Sequence, residues 1–341
     1  MNTLPYEPRS RRQWRFFVSR PRLLPLPALR RVMSSLKHFA AVLILCGRLA
    51  GPHSAAAMPS QLMPPGELRS YERARSVVDL TPGELRKAYP ELYDLEPARS
   101  QHDLGRILQK VGEGVEAFIR DFPNTASIES VRRERVDRKG IVQESDTQTF
   151  NYLAVGRSEG STGGLSEIRT DNLGRPLEPH AMNGPSILTI GFASMVMYFH
   201  PKLQPDSTFR YLGHLTVEGR DANVVAFAQR PEAAQVGTWL EFGSQSSRIL
   251  MQGIAQIDAD SSQILQMRVD LLAPRPDLGV NKYSTELHYG KVRFRQISKA
   301  LWTPHKVVVT LDLGGQLFRN YHQYSHFNLF NVEAKIKEDA P

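Results

Sequence analysis

The segment Ile264-Leu-Gln-Met-Arg-Val-Asp-Leu271 decides the fold class, because apolar side chains alternate along it with polar ones. The same two-residue period recurs over residues 249–257 and 307–313, and turn sequences such as Glu218-Gly-Arg-Asp221 separate the periodic stretches. Strands with one apolar and one polar face are typical of antiparallel sheets that cover a core on one side. From about Ser127 onward the sequence therefore predicts a long antiparallel meander. Helical stretches do not alternate regularly with the strands, which disfavours a Rossmann or TIM arrangement.

Residues 58–124 have helical rather than strand periodicity. Thr81-Pro-Gly-Glu84 is a capping box with proline at the first helical position, which predicts a short helix from Pro82 to about Leu92. Between residues 101 and 121 apolar side chains recur every three or four positions, which predicts a longer helix with Ser100 and Asp103 available as caps. Two glycines, at 112 and 114, each cost this helix about 1 kcal/mol relative to alanine. We therefore expect its apolar face to dock on another element.

Residues 1–57 have the composition of an export leader. Met33-Ser-Ser-Leu-Lys-His38 is a short basic segment, residues 39–47 are an apolar core too short to span a bilayer, and Ala55-Ala-Ala57 is a small-x-small cleavage site. We predict cleavage after Ala57, with Met33 as an alternative start, and a leader that is disordered or forms a short helix. The expected location is the periplasm or the secreted fraction.

Two other interpretations of the leader stay open. Residues 1–32 carry eight arginines and could form a basic tail on anionic lipid. Cys46 could be a lipidation site, although Leu45 stands where a lipobox needs a small residue. Cleavage after Ala57 fits the sequence better than lipid anchoring at Cys46.

The positive charge of the chain is concentrated in this leader. Residues 1–57 contain nine arginines and Lys37 against the single acid Glu7, whereas the whole chain has a net charge of +8, so residues 58–341 sum to about −1. The positive charge of the whole chain is therefore no argument for a nucleic-acid partner of residues 58–341. Cys46 is the single cysteine, so residues 58–341 can form neither a disulfide nor a cysteine zinc site. We predict no cofactor and no transmembrane helix after cleavage.

One stretch breaks the alternation, because residues 187–199 are apolar on nearly every side. An element without a polar face is buried all round, so we predict a helix near 187–200 on the concave side of the sheet. Methionine is flexible and aromatic rings offer a broad contact area, which suits irregular apolar ligands. The predicted lining of an apolar ligand cavity is accordingly Phe192, Met195, Met197, Tyr198 and Phe199. The alternative is that these side chains simply fill the core.

Other motifs give weaker indications of chemistry. His322 and His326 share one face of a predicted strand but lie roughly 13 Å apart at 3.3 Å per residue, too far to bind one zinc ion. Ser194 lacks the flanking glycines of a nucleophile elbow. Four acids are interpreted as solvated cross-strand partners of neighbouring arginines: Glu129, Glu134, Glu144 and Glu167. We predict neither catalytic nor metal-binding residues.

The leader, the amphipathic N-terminal helix and the long meander together resemble the periplasmic lipoprotein carriers and outer-membrane lipoprotein receptors (LolA/LolB-like). The lipid-sensing domain of the anti-sigma-factor regulator is similar too. In that superfamily a curved, half-open barrel holds helices in its mouth and binds acyl chains. Residues 80–98, 121–125 and 320–330 more specifically resemble a group of uncharacterised exported bacterial proteins. The ligand contacts of the carriers have no residue-by-residue match here, so none is carried over.

The resemblance implies an α+β, mostly β, fold: a curved antiparallel sheet with N-terminal helices and a buried apolar helix on the concave side. We expect a leader (1–57), a helical extension (58–124) and a β domain (125–341). The expected function is non-enzymatic binding of an acyl chain, a lipoprotein or another apolar ligand, with lipoproteins or other envelope proteins as partners. The alternatives are a protein–protein interaction module with a filled core and a hydrolase whose site is assembled only by folding.

Overall fold

The computed structural model describes residues 41–45, 70–157, 164–171, 174–177, 188–234, 238–242, 245–298 and 300–330, all within one unit of residues 40–341. The predicted cleavage site at Ala57 and the predicted lipidation site at Cys46 lie outside the described residues. The helices and strands, in chain order, are β1 (Ala41–Leu45), α1 (Pro82–Ala88), β2 (Glu96–Pro97), α2 (Leu104–Arg120), β3 (Thr125–Val136), β4 (Val142–Arg157), β5 (Gly164–Thr170), β6 (Leu188–Ile190), β7 (Ser207–Val217), β8 (Arg220–Gln229), β9 (Thr238–Phe242), β10 (Gln245–Ile249), β11 (Met251–Asp258), β12 (Ile264–Leu271), β13 (Val280–Val292), β14 (Leu301–Leu313) and β15 (Gln316–Leu329).

The main sheet has eleven strands in the order β2-β7-β8-β11-β12-β13-β14-β15-β3-β4-β5. Strands β11 to β15 follow one another as antiparallel neighbours, and so do β3 to β5. The last strand, β15, pairs with β3 and so joins the two meanders into one open sheet. The predicted α+β, mostly β, fold with a long antiparallel meander is confirmed.

The sheet curves around the segment at residues 191–200. β8 and β5 are eight strands apart in the sheet order, which is about 38 Å in a flat sheet at 4.8 Å per strand. Yet Phe227 of β8 stacks on Tyr198, and Glu167 of β5 accepts a hydrogen bond from Ser194. Because Ser194 and Tyr198 are only four residues apart, the sheet must curve strongly between β8 and β5 for both contacts to form. We call the face toward this segment the inner face.

The N-terminal extension covers the opposite, outer face. Leu85 of α1 and Leu92 belong to a cluster with Leu212, Val224 and Ile254 of the sheet. Val224 and Ala226 belong to this cluster, and Ala228 belongs to a smaller one with Tyr71. β8 is therefore buried over residues 224–229 without alternation, whereas the sequence predicts one solvent-exposed face. On β12 only Leu265 belongs to this cluster, and residues 266–271 keep the predicted alternation of half-buried and buried residues.

Helix α1 begins as predicted and ends earlier than predicted. The Thr81 amide donates to Glu84 Oε2 at 2.8 Å, and the Glu84 amide donates to Thr81 Oγ1 at 3.4 Å, so the capping box is formed. The helix stops at Ala88, and Pro90–Leu92 make a separate 3-10 turn. Tyr89 precedes a proline, and the proline ring disfavours helical backbone at that position.

Helix α2 is shorter than the predicted 101–121, and its cap differs from the prediction. Asp103 makes no cap hydrogen bond and instead accepts from Arg106 at 2.8 Å. A Cβ atom at Gly112 would lie 3.3 Å from the Phe199 carbonyl oxygen and 2.8 Å from Gln204 Nε2. The glycine therefore lets α2 approach the chain that leaves the inner segment, and the expected docking of this helix is observed.

Residues 41–45 lie within the predicted leader and form β1, where the sequence predicts a disordered segment or a short helix. β1 lies between β6, to which it is parallel, and β9, to which it is antiparallel, in a four-stranded sheet of order β10-β9-β1-β6. Apolar and β-branched residues favour a strand once partners are present on both sides. No helix among the described residues is both long and apolar enough to cross a membrane.

Candidate functional site

Residues 191–200, which we call the inner segment, are all buried. Ala193–Phe199 form a 3-10 helix, and Leu188–Ile190 before it form β6, so the helix predicted near 187–200 is shorter and of a different type. Gly191 has a φ of 100°, a conformation that glycine adopts without strain, and there the chain turns from strand to helix. The predicted all-round burial on the concave side of the sheet is confirmed.

The five side chains predicted to line a cavity pack against other side chains. Phe192, Met195 and Phe199 are 0% exposed, and Tyr198 and Met197 are 2% and 7% exposed. The ring centroids of Tyr198 and Phe227 lie 4.9 Å apart. Two cavities beside the segment each have a volume of about 20 Å³, which is room for one water molecule. The role of these side chains as ligand contacts stays a prediction.

A carboxylate from the sheet holds the start of the 3-10 helix. Glu167 accepts hydrogen bonds from the amides of Gly191, Ala193 and Ser194 at 3.1, 3.3 and 3.0 Å, and from the Ser194 hydroxyl at 2.8 Å. The Tyr152 hydroxyl also donates to it. The first amides of a helix have no intrahelical partner. The Glu167 side chain provides the missing hydrogen-bond acceptor for the amides at the start of this segment. Burial raises the pKa of Glu167, against the opposing effect of these hydrogen bonds.

A buried ionic cluster lies next to Glu167 on the inner face. The side chains of Glu129 and Arg169 are 0% and 2% exposed, and Arg169 donates through two nitrogens to the two carboxylate oxygens of Glu129. His322 Nδ1 and the Tyr324 hydroxyl approach the same carboxylate at 2.8 and 2.7 Å. Burial alone would raise the pKa of Glu129, but the charge and hydrogen bonds of Arg169, together with the hydrogen bond from His322, hold it at about 2. Glu129 therefore stays ionised inside the core.

His322 is neutral in this cluster. Burial lowers its pKa, with Glu129 acting in the opposite direction. An ionised Glu129 requires the proton on Nδ1, which leaves Nε2 as an acceptor, and that atom has no hydrogen-bond partner among the described residues. The imidazole instead meets the ring of Phe192 edge-on, with centroids 4.8 Å apart. The cluster thus contacts the inner segment directly.

The predicted solvation of the four acids is wrong for Glu129, which is 0% exposed, for Glu134, which is 6% exposed, and for Glu167, whose carboxylate faces buried donors. It is right for Glu144, which forms an exposed pair with Arg135 at 3.2 Å. The signal that could have shown this burial is the position of each acid in the inward–outward alternation of its strand. Glu129 lies two residues from Val131 on β3, in step with the inward positions, so its carboxylate must face the core.

The remaining sequence candidates are separated in the structure. His326 is exposed, whereas His322 belongs to the buried cluster, and β15 has a bulge beyond Ser325. Ser194 donates to Glu167 and not to a histidine. In the part of the chain that the structure describes, no group of three or more His, Cys, Asp or Glu side chains is placed to hold a metal ion.

No protein-family model matches the sequence, and no curated protein matches it. Similar solved structures include a protein described as an outer membrane lipoprotein-sorting protein domain from Vibrio parahaemolyticus, with 12% identity, 68% of this chain and 96% of that chain covered, and a TM-score of 0.35. A DUF1329 family protein from Desulfovibrio piger has 10% identity over 66% of this chain and 92% of that chain, with a TM-score of 0.35.

A LolA superfamily protein from Nitrosomonas europaea has 12% identity over 66% of this chain and 94% of that chain, with a TM-score of 0.27.

Proposed function

We propose that the chain is an exported, non-enzymatic binding protein for an acyl chain, a lipoprotein or another apolar ligand of the cell envelope. In this proposal the inner segment occupies the place of the ligand and gives way when the ligand enters. The observation that carries the proposal is the inner segment itself, which is wholly buried on the inner face of the main sheet without being one of its strands.

The inner segment has weak support of its own. Its 3-10 helix runs from Ala193 to Phe199, although such helices rarely exceed three or four residues because their hydrogen bonds have poor geometry. The bond from the Met195 amide to the Phe192 carbonyl is 3.4 Å long. Packing and Glu167 therefore hold the segment in place, and a competing apolar ligand can replace the packing.

The surface behind the segment suits a hydrocarbon chain. Val225, Phe227, Met251, Met267 and Leu287 of the inner face are all at most 2% exposed. Each buried CH₂ group of a ligand contributes about 0.8 kcal/mol, so a chain of twelve carbons can offset the loss of several side-chain contacts. Methionine side chains adapt to such irregular guests.

The test is recovery of the ligand. Native mass spectrometry of the protein purified gently from its own cell envelope should show bound lipid of defined mass. After removal of the lipid by unfolding and refolding, the protein should bind a fluorescent apolar dye, and the extracted lipid should displace it. Absence of lipid together with absence of dye binding would overturn the proposal.

A second candidate function is a protein–protein interaction module, and one observation favours it. β4 pairs with β3 along its length but with β5 only from Asn151 to Arg157. Within the described ranges, the outer edge of β4 from Val142 to Phe150 has no strand beside it, and residues 141–147 are exposed. Exposed strand edges are sites where a partner adds a strand. Crosslinking of a photoreactive residue at Thr147 to a single envelope protein would support this function.

A further inference from the structure

A cavity of about 20 Å³ lies between α2, the inner segment and strands β12 to β14. Its inner wall contains Val111, Val115 and Val196, which are buried, and its rim contains Phe118 and Trp302, which are half-exposed. The cavity therefore connects the inner segment with the surface. None of the described residues that line it is charged.

Tyr289 lines this cavity together with two other polar residues, Ser262 and Gln263. Tyr289 is 9% exposed, and its hydroxyl is buried and has no hydrogen-bond partner among the described residues. The buried hydroxyls of Tyr152, Tyr198 and Tyr324 all have partners. Native proteins rarely leave a buried polar group unpaired, and each exception calls for an explanation, such as a bound water molecule or a functional role.

The Tyr289 hydroxyl is a permanent donor. Burial raises the pKa of Tyr289 far above its usual value, and the charge of Glu167 acts in the same direction. The hydroxyl therefore keeps its proton at every physiological pH and can offer it to an acceptor on a ligand.

We propose that Tyr289 is the polar recognition residue of the apolar site and that it donates a hydrogen bond to the neutral carbonyl oxygen of an acyl ester or amide. This inference rests on the proposed function and names the class of ligand. The carbonyl oxygen takes the space of one water molecule beside Tyr289, and the acyl chain takes the place of the inner segment from Val196 inward.

A free fatty acid fits this site less well than an ester. A carboxylate placed against this uncharged lining loses its hydration and gains one hydrogen bond in return. Most of its desolvation free energy is then not compensated. The buried cation Arg169 is already paired with Glu129. Glu167, the acid that acts on Tyr289, makes a second negative charge there still less favourable.

The test compares three probes of equal chain length on the full chain: methyl laurate, laurate at pH 8 and dodecane. Binding is measured by displacement of the dye 1-N-phenylnaphthylamine. Tyr289→Phe should weaken methyl laurate binding about tenfold, the loss of a hydrogen bond in a buried site, and leave dodecane binding unchanged. Wild-type protein should bind methyl laurate more tightly than laurate.

The matched control is Tyr283→Phe. Tyr283 is 1% exposed and accepts a hydrogen bond from Thr285 Oγ1 at 2.6 Å, but it does not line the cavity. This variant should bind all three probes like the wild type. A wild type that binds no probe overturns the proposed function together with this inference. Binding of methyl laurate that does not depend on Tyr289, or a preference for laurate, overturns the inference alone.

Discussion

Glu129 has no exposed surface, and it stays ionised because donors surround it. The two nitrogens of Arg169, His322 Nδ1 and the Tyr324 hydroxyl all approach its carboxylate. An ionised group in the core is stable only when such partners replace its hydration. The cluster therefore fixes β3, β5 and β15 relative to each other at the point where they meet the inner segment.

Removal of the charge at position 129 should destabilise the fold strongly. Glu129→Gln removes the carboxylate that pairs with the buried Arg169 guanidinium, which costs about 3–5 kcal/mol of unfolding free energy. Glu144→Gln is the matched control, because Glu144 pairs with Arg135 at the surface, and it should cost less than about 1 kcal/mol. Urea unfolding of both variants measures the difference. Equal losses would contradict the buried pair.

The same cluster makes stability depend on acid. The pKa of Glu129 is about 2 in the folded chain against an ordinary value of 4.5, so the unfolded chain takes up a proton first and the stabilisation is lost as the pH falls from 4.5 toward 2. The lowered pKa of His322 adds a loss below 6.5. Chemical unfolding of the wild type at pH 7, 5 and 3 should show this fall. Glu129→Gln should show a smaller fall below pH 4.5 than the wild type, because the other acids with lowered pKa values, such as Glu84 and Asp258, still contribute.

The contacts between individual buried side chains were the hardest feature to predict from the sequence. Glu129 and His322 are 193 residues apart, and Glu129 and Arg169 are 40 apart. Their individual phases on β3 and β15 can be predicted from alternation, but their meeting depends on the pairing of β15 with β3. No local pattern encodes which strands of a long meander pair across its ends.

At the scale of elements, α2 contains two glycines with different roles. A Cβ atom at Gly112 would crowd the Phe199 carbonyl oxygen and Gln204, whereas one at Gly114 would have only Gln263 Nε2 near it, at 3.9 Å. Gly114→Ala should therefore stabilise the chain by up to about 1 kcal/mol through helix propensity. Gly112→Ala should destabilise it despite the same propensity gain. Thermal unfolding of the two variants tests the docking, and a stabilised Gly112→Ala would contradict it.

The hold of Glu167 on the inner segment should oppose ligand binding. Glu167→Gln replaces one acceptor oxygen with an amide that faces the Gly191, Ala193 and Ser194 donors. If the inner segment must leave before the ligand binds, the variant has a larger fraction of molecules with the segment released. Its apparent affinity for the ligand is then higher. We expect roughly fivefold tighter binding of an apolar dye, with Glu144→Gln unchanged. Affinity that is the same in both variants and the wild type would argue against release of the segment.

Elements were predicted well where their signal is local. The capping box at Thr81 and the alternation over Ile264–Leu271 are both observed. The inner segment was predicted as buried because it lacks a polar face, but its 3-10 form was not, since that depends on Glu167 and on the turn at Gly191. The double burial of β8 was missed because the cover comes from α1, far away in the sequence.

At the scale of the whole molecule, the described part of the chain is a curved sheet whose inner face is filled by part of its own chain. The cavities beside that part hold about one water molecule each. A binding protein of this design must exchange internal contacts for ligand contacts. We therefore expect the inner segment and the ligand to exclude each other.

Amide hydrogen exchange of residues 191–200, with and without bound acyl ligand, tests this claim most directly. We expect slow exchange in the free protein and faster exchange in the complex, at these residues alone, while the melting temperature of the whole protein rises. Exchange that stays slow at these residues in a saturated complex would contradict it.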